Sequence, residues 1–392
     1  MGSYVCSLHA CGNVRLDQIV VTADTGCAEN RAAEVLADML GTASFAAIII
    51  MASPEADFQD LAHVFVNRFP NARIIGCSTA GEICHDGYAE KRLLALGLPE
   101  THFDCRVQLV SDVANADYGT VSTKMLRNKA DLDTHNSDWD NEFNFLLIDG
   151  LSQCEDKFVS ALSMATGSVP LFGGSSADGV NFNKTKLLFD GTWHENAAVL
   201  MQVKTSCEIS VFKTDHLVPT EKRMVVTMAN PEERTVSEIN AAPAAKEYAR
   251  LLGKDPEQLS TFTFAAHPVV VKVGGTHHVR AIQRISENGD LIFFSAIDEG
   301  LVLTLADPTD MSVHLENEMA KLSEKRRPDF ILACDCILRR LEAQEKQKLH
   351  ALSNIMSNNR VFGFSTYGEQ YNSMHVNQTL TGVAIYPPRA SK

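Results

Sequence analysis

The sequence of 392 residues lacks most of the signals by which a chain declares its chemistry. Cys-x-x-Cys does not occur, although ten cysteines stand at positions 6, 11, 27, 77, 84, 105, 154, 207, 334 and 336. At that density, and without the usual metal spacings, they read as small buried hydrophobes rather than a disulfide frame or a zinc site. The longest largely apolar run, Ala43 to Ala52, falls short of the roughly 20 residues that cross a bilayer. Positive charge is scarce: 35 Lys and Arg face 49 Asp and Glu, for a net charge of −14. Such a surface repels phosphate backbones and anionic lipid, so neither nucleic acid nor membrane is expected as a partner. Met1 to Gly12 shows no basic stretch followed by a long apolar one, and the expected location is cytoplasmic. Also missing are G-x-x-x-x-G-K-[ST], a G-x-G-x-x-G after a strand, and H-E-x-x-H, which sets aside the common nucleotide and metalloprotease sites.

What is present is a repeat. Phe45-Ala-Ala-Ile-Ile-Ile-Met leads through a helical stretch, Glu55 to Arg68, to Ile75-Gly-Cys-Ser-Thr-Ala-Gly-Glu82. Phe143-Asn-Phe-Leu-Leu-Ile-Asp leads through Glu155 to Ala165 to Phe172-Gly-Gly-Ser-Ser-Ala-Asp-Gly179, and Phe330-Ile-Leu-Ala-Cys-Asp through Glu342 to Met356 to Phe362-Gly-Phe-Ser-Thr-Tyr-Gly-Glu369. Each passage from first strand to glycine takes about 30 residues, the length of a parallel strand–helix–strand crossover. An apolar strand follows each motif, at Leu93 to Leu98, Lys186 to Phe189 and Thr379 to Tyr386. Phe58, Leu61, Ala62, Phe65 and Val66 fall on one helical face. Between the units lie β-rich stretches, Cys207 to Phe212, Arg223 to Met228, Val269 to Val273 and Leu291 to Ile297, and a helix at Ala242 to Leu252. The fold class is therefore mixed α/β (α+β) with large mixed sheets flanked by helices. The length suggests two domains, divided as 1–217 and 218–392. Asp131 to Glu142 reads as a solvated acidic surface loop.

The glycine–serine motifs place Ser78 and Ser365 two residues after a glycine, as in a nucleophile elbow. The second glycine comes one position late and no apolar helix follows, so a tight turn of small residues is favoured over a catalytic serine. Strand ends of this kind let backbone and hydroxyl groups approach a ligand. The third copy is the richest. Ser365, Tyr367 and Glu369 are followed by His375, Asn377 and Thr379, and Cys334, Asp335, Arg339 and Arg340 end the paired strand. A cation beside carboxylates and hydroxyls can grip a small zwitterion, but the same residues make a satisfied structural ion pair. Of the thirteen histidines, His216, His267 and His375 are among those with apolar neighbours.

Ile75 to Glu82, Gly274 with Arg280, Glu299-Gly300, Cys334-Asp-Cys-Ile-Leu-Arg339, Gly363 to Glu369 and Asn377-x-Thr379 together resemble the FIST proteins, over residues 30 to 386 or so. That resemblance implies an N-type domain over 1–217, a C-type domain over 218–392, and a sensory, non-enzymatic role. It implies a ligand pocket built from Arg280, Cys334, Asp335, Arg339, Ser365, Tyr367, Gly368, Glu369, Asn377 and Thr379. Within the family the chain is most similar to bacterial haem proteins that sense nitric oxide. This implies haem b, a partner sensor histidine kinase, and a role in biofilm signalling. An iron ligand is then expected first at His375, then at His267 or His216. The other readings are a haem-free sensor of small ligands such as amino acids through the C-terminal pocket, and a hydrolase using Ser365. A homodimer is compatible with an acidic chain carrying sheet edges.

Overall fold

The computed structural model describes residues 19–273 and 275–388, so Gly2, Cys6, His9, Cys11 and Gly274 lie outside the described residues. The sequence repeat is realised as three units with one plan: edge strand, helix, strand, crossover helix, parallel strand, hairpin and return strand. The first unit comprises β1 (Val21–Gly26), α1 (Ala32–Leu40), β2 (Phe45–Ala52), α2 (Phe58–Arg68), β3 (Arg73–Ser78), the hairpin β4 (Glu82–Cys84) and β5 (Gly87–Ala89), and β6 (Arg92–Pro99). The second comprises β7 (Phe103–Ser111), α3 (Tyr118–His135), β8 (Asn141–Ile148), α4 (Glu155–Thr166), β9 (Leu171–Ser175), the hairpin β10 (Leu187–Phe189) and β11 (Thr192–His194), and β12 (Ala197–Thr205).

The third unit opens with β13 (Glu208–Thr214) and is then interrupted by a long insertion. The insertion contains β14 (Leu217–Asn230), β15 (Thr235–Ile239), β16 (Ala242–Pro243), α5 (Ala244–Leu252), α6 (Thr261–Ala266), β17 (Val269–Val273), β18 (Thr276–Arg280), β19 (Ile282–Ile285), β20 (Leu291–Phe293) and β21 (Val302–Pro308), which fold into an eight-stranded sheet. The unit resumes with α7 (Met311–Ser323), β22 (Phe330–Cys336), α8 (Ile337–Glu345), α9 (Leu349–Asn358), β23 (Val361–Thr366), the hairpin β24 (Glu369–Tyr371) and β25 (Met374–Val376), and β26 (Leu380–Tyr386).

The three six-stranded sheets share one strand order, and each is completed by a hairpin from another unit. The orders are β1-β6-β2-β3-β10-β11, β7-β12-β8-β9-β24-β25 and β13-β26-β22-β23-β4-β5. The first unit lends its hairpin to the third, the third to the second and the second to the first. Inward faces of all three sheets meet in one core that includes Ile49, Met51, Cys77, Phe145, Phe172, Leu332, Cys334 and Phe364. The cysteines here are packed as small hydrophobes, and burial pushes the Cys334 thiol well up.

Three equivalent glycines explain the repeated motif. Gly76, Gly173 and Gly363 lie inside β3, β9 and β23, opposite Ile50, Leu146 and Ala333 of the parallel neighbour. At each, a Cβ would fall on the carbonyl oxygen of that neighbour. The tight-turn expectation is corrected accordingly: these glycines serve a close strand–strand approach.

Other expectations shift as well. The predicted helix over Glu342 to Met356 is two helices, α8 and α9, and α8 begins earlier, straight from the end of β22. Asp131 and Asp133 belong to α3 rather than to a loop, paired with Arg106 and Lys204. Val121, Met125 and Leu132 are too widely spaced to show that helix as a stripe. Lys186 to Phe189 includes a hairpin strand, and the return strand of the second unit is β12.

Candidate functional site

Carboxyl ends of strands from all three units converge, and there a cleft of about 680 Å³ opens. Ser53, Pro54 and Glu55 follow β2, and Thr79, Ala80 and Gly81 follow β3. Asp178 to Asn181 follow β9, while Ile337, Arg340, Leu341 and Gln344 come from α8. The insertion adds Ser260, Thr261 and Phe262, and the connection from β5 to β6 adds Glu90 and Lys91.

Arg339 and Arg340 separate because consecutive residues on a helix point about 100° apart. Arg339 turns into the protein and is fully buried. Its Nε donates to Asp335 at 2.8 Å, and Nη1 lies 3.0 Å from His216 Nδ1. The other His216 nitrogen is 3.0 Å from Glu342, which also accepts from Lys346, and Tyr88 donates its hydroxyl to Asp335 at 2.5 Å. Burial opposes the charge on Arg339, but Asp335 outweighs it and the guanidinium is held charged. Burial, then Asp335, raises the Tyr88 phenol well above its ordinary value.

Arg340 turns toward the cleft yet exposes only 7% of its side chain. Its Nη2 donates to Ala89 O at 2.9 Å and to Glu90 Oε1 at 3.1 Å. Its Nη1 is buried with no hydrogen-bond partner. Gly81 makes this possible: its φ is +123°, and a Cβ there would collide with Nη1. The nearby Glu82 is also buried and is held by Thr79 Oγ1 and Arg92 N. Burial raises its pKa to about 7 despite those hydrogen bonds and the pull of Arg340.

The third unit carries the same arrangement around Glu369. Thr366, Thr379 Oγ1 and Thr379 N donate to it, and burial raises its pKa to about 8. Tyr367 donates to Asp178, which also accepts from the backbone of Phe182, Asn183 and Lys184, so the 178–184 loop is pinned. Asn377 bridges Tyr367 O and Ser295, and Ser365 Oγ is buried without a partner.

Of the residues expected to form one pocket, Cys334, Asp335, Arg339, Ser365, Tyr367, Glu369, Asn377 and Thr379 are all buried, and none of them lines the cleft. Gly368 supports the ring of His375, and Arg280 stands on β18 of the insertion. Sequence reasoning missed Tyr88, Glu90, Gly81 as the bed of a guanidinium, and Phe262. The signal was weak: Tyr88 and Glu90 lie on a hairpin whose partner sheet is more than two hundred residues away in sequence.

The three candidate haem histidines do not fit that group. Both ring nitrogens of His216 are engaged and its side chain is wholly buried. His375 is buried, its Nδ1 beside Gln370 Nε2 at 3.3 Å and its opposite edge packed on Gly368. Burial holds its pKa down. His267 is half-buried among Lys254, Asp307, Glu345 and Lys346, a charged setting rather than an apolar slot. The cleft is lined by none of the three. No cluster of metal-ligating side chains occurs among the described residues, and none of their helices is long and apolar enough to cross a membrane.

Residues 46–242 match the FIST N domain and residues 244–372 match the FIST C domain. No curated protein matches the chain.

Proposed function

The chain belongs to the FIST family, whose domains are signal-transduction sensors, and from that premise we propose that it senses a small ligand in the cleft shared by its FIST N and FIST C parts. The observation that carries this reading is Arg340, a buried cation with an unpartnered Nη1 on the wall of that cleft. A buried donor left unmade costs about 1–3 kcal/mol, which an incoming acceptor recovers. Because the walls come from the core units and from the insertion, a ligand touching both favours one relative placement over another. It shifts the equilibrium by as much as its affinity for the two placements differs.

The test is a thermal-shift screen of small metabolites, amino acids included, on the full chain. A ligand that binds only the folded state raises the melting temperature, and Arg340→Met should abolish that rise. Stabilisation that survives in Arg340→Met would refute the site.

The finer reading, a haem-held nitric oxide sensor of the NosP kind acting on a histidine kinase, rests on the sequence resemblance. It draws no support from the settings of His216, His267 and His375. Reconstitution with haem, reduction and exposure to nitric oxide tests it. A saturable Soret band that moves with the gas and is lost in His375→Ala or His267→Ala would establish it.

A further inference from the structure

Resting on the cleft reading, we infer that the ligand is a monocarboxylate on an apolar body, and that it binds by taking the place of Glu90 on Arg340. The guanidinium has two N–H groups on Nη1 that meet no acceptor and one on Nη2 given to Glu90. A planar carboxylate bonds an arginine through one N–H from each of two nitrogens. Lying across Nη1 and Nη2, it fills the vacant donors and displaces Glu90. The Ala89 O contact remains. Glu90 is well suited to yield, since its side chain is 72% exposed and its carboxylate rehydrates when released.

The rest of the cleft selects the body of the ligand. Ala80, Ile337 and Leu341 line it, and Phe262 and Val180, 43% and 57% exposed, stand among the few large apolar side chains left in water. The carboxylates Glu55, Glu90 and Asp178 outnumber the cations Lys91 and Arg340. That balance opposes a phosphate dianion and tolerates a single negative charge.

Isothermal titration calorimetry on the full chain tests both halves of the inference. The probes are L-leucine, L-phenylalanine, 4-methylpentanoate, 3-phenylpropanoate, the primary amide of each, and inorganic phosphate. At least one carboxylate should bind, with its amide about thirtyfold weaker and phosphate without effect. The acids with and without an α-amine tell an amino acid from a simple acid. Arg340→Met should weaken binding at least about tenfold, and Glu90→Gln should tighten it about three- to fivefold, because the competitor has lost its charge. Glu90→Gln is a surface change that leaves the fold intact, so this arm does not depend on the stability of Arg340→Met. Binding that Glu90→Gln leaves unchanged or weakens overturns the exchange, while the cleft reading survives. Equal binding of amide and acid, or a preference for phosphate, overturns the ligand class. If Arg340-dependent stabilisation by some other metabolite appears while every probe here fails, the class is again wrong and the cleft is right. Failure of both experiments removes the cleft itself.

Discussion

Removing Arg339 and removing Arg340, neighbours in sequence, should have opposite kinds of consequence. In Arg339→Met the aliphatic volume is largely kept, but the buried Asp335 carboxylate retains only the Tyr88 hydroxyl among its side-chain partners, and His216 loses the group on its Nδ1. Deleting one member of a fully buried ion pair costs about 3–5 kcal/mol, because the remaining charge stays desolvated. Arg340 loses less. Its acceptors are a backbone carbonyl and a carboxylate standing mostly in water, which rehydrates when released. Arg340→Met should therefore destabilise by only about 1 kcal/mol. Urea unfolding at neutral pH, followed by circular dichroism on both variants, measures the difference. A loss below about 1 kcal/mol in Arg339→Met would show that Asp335 finds water or protonates at little cost, and would refute the view of this cluster as structural framework. A loss in Arg340→Met as large as that of Arg339→Met would place the second arginine in the framework too, and weaken its assignment to a ligand.

Other outcomes follow from the same geometry. Gly81→Ala should behave as a binding defect, since its Cβ occupies the place of Arg340 Nη1; calorimetry with a carboxylate that the wild type binds should show the same loss as Arg340→Met. Gly363→Ala places a Cβ on the carbonyl oxygen of Ala333 and should cost about 3 kcal/mol or more by chemical denaturation, whereas overpacking at an open site costs nothing comparable. Glu369, with its pKa raised from 4.5 to about 8, binds a proton in the fold that the unfolded chain has released at neutral pH. The stability it lends is full below pH 4.5, falls as pH rises, and is gone above about 8. Glu369→Gln should flatten the decline in melting temperature across that window, and an unchanged slope would deny that the buried carboxyl is protonated.

Much of the architecture could be read without coordinates because it is local. The parallel crossovers announce themselves through apolar runs such as Ile48 to Met51, helical faces such as Leu61, Ala62 and Phe65, and a glycine at a fixed distance. The exchange of hairpins could not be read, because nothing in Glu82 to Ala89 says that its partner strand begins at Val361. The same limit governs the site. Asp335 and Arg339, four apart, were visible as an ion pair in waiting, but the sequence pattern is silent on which of Arg339 and Arg340 faces inward. That was decided by the β22–α8 junction, where the helix starts without a side-chain cap directly after a buried strand. Ser365, Tyr367, Glu369, Asn377 and Thr379 drew attention as a cluster of polar residues near a strand end. They are a cluster, but a buried one: they hold a loop and a hairpin in place behind the cleft.

The pseudo-threefold plan also shows how the junction beside the cleft differs from its two counterparts. Each exchanged hairpin presents one aromatic or imidazole side chain at the same register, Tyr88 opposite Ile83, Trp193 opposite Leu188 and His375 opposite Gln370. Trp193 closes its junction with α2, its indole N–H donating to Phe58 O and its ring edge-on to that of Phe58. His375 closes the second on the Gly368 backbone, near the acidic start of α4 where Arg234 of the insertion pairs with Glu155. At the third, Tyr88 is drawn inward to Asp335, and what remains on the cleft wall is the buried Arg340, with its guanidinium 5.6 Å from the Tyr88 ring and a side-chain hydrogen bond to Glu90. At the first two junctions the ring of the exchanged hairpin is thus held against backbone, that of Phe58 and that of Gly368. The third keeps a buried cation with donors to spare, and it is the one that also faces the pinned 178–184 loop and α6 of the insertion. That is the place the proposed ligand takes: the hydrogen bonds that Arg340 Nη1 does not make within the protein are left for it.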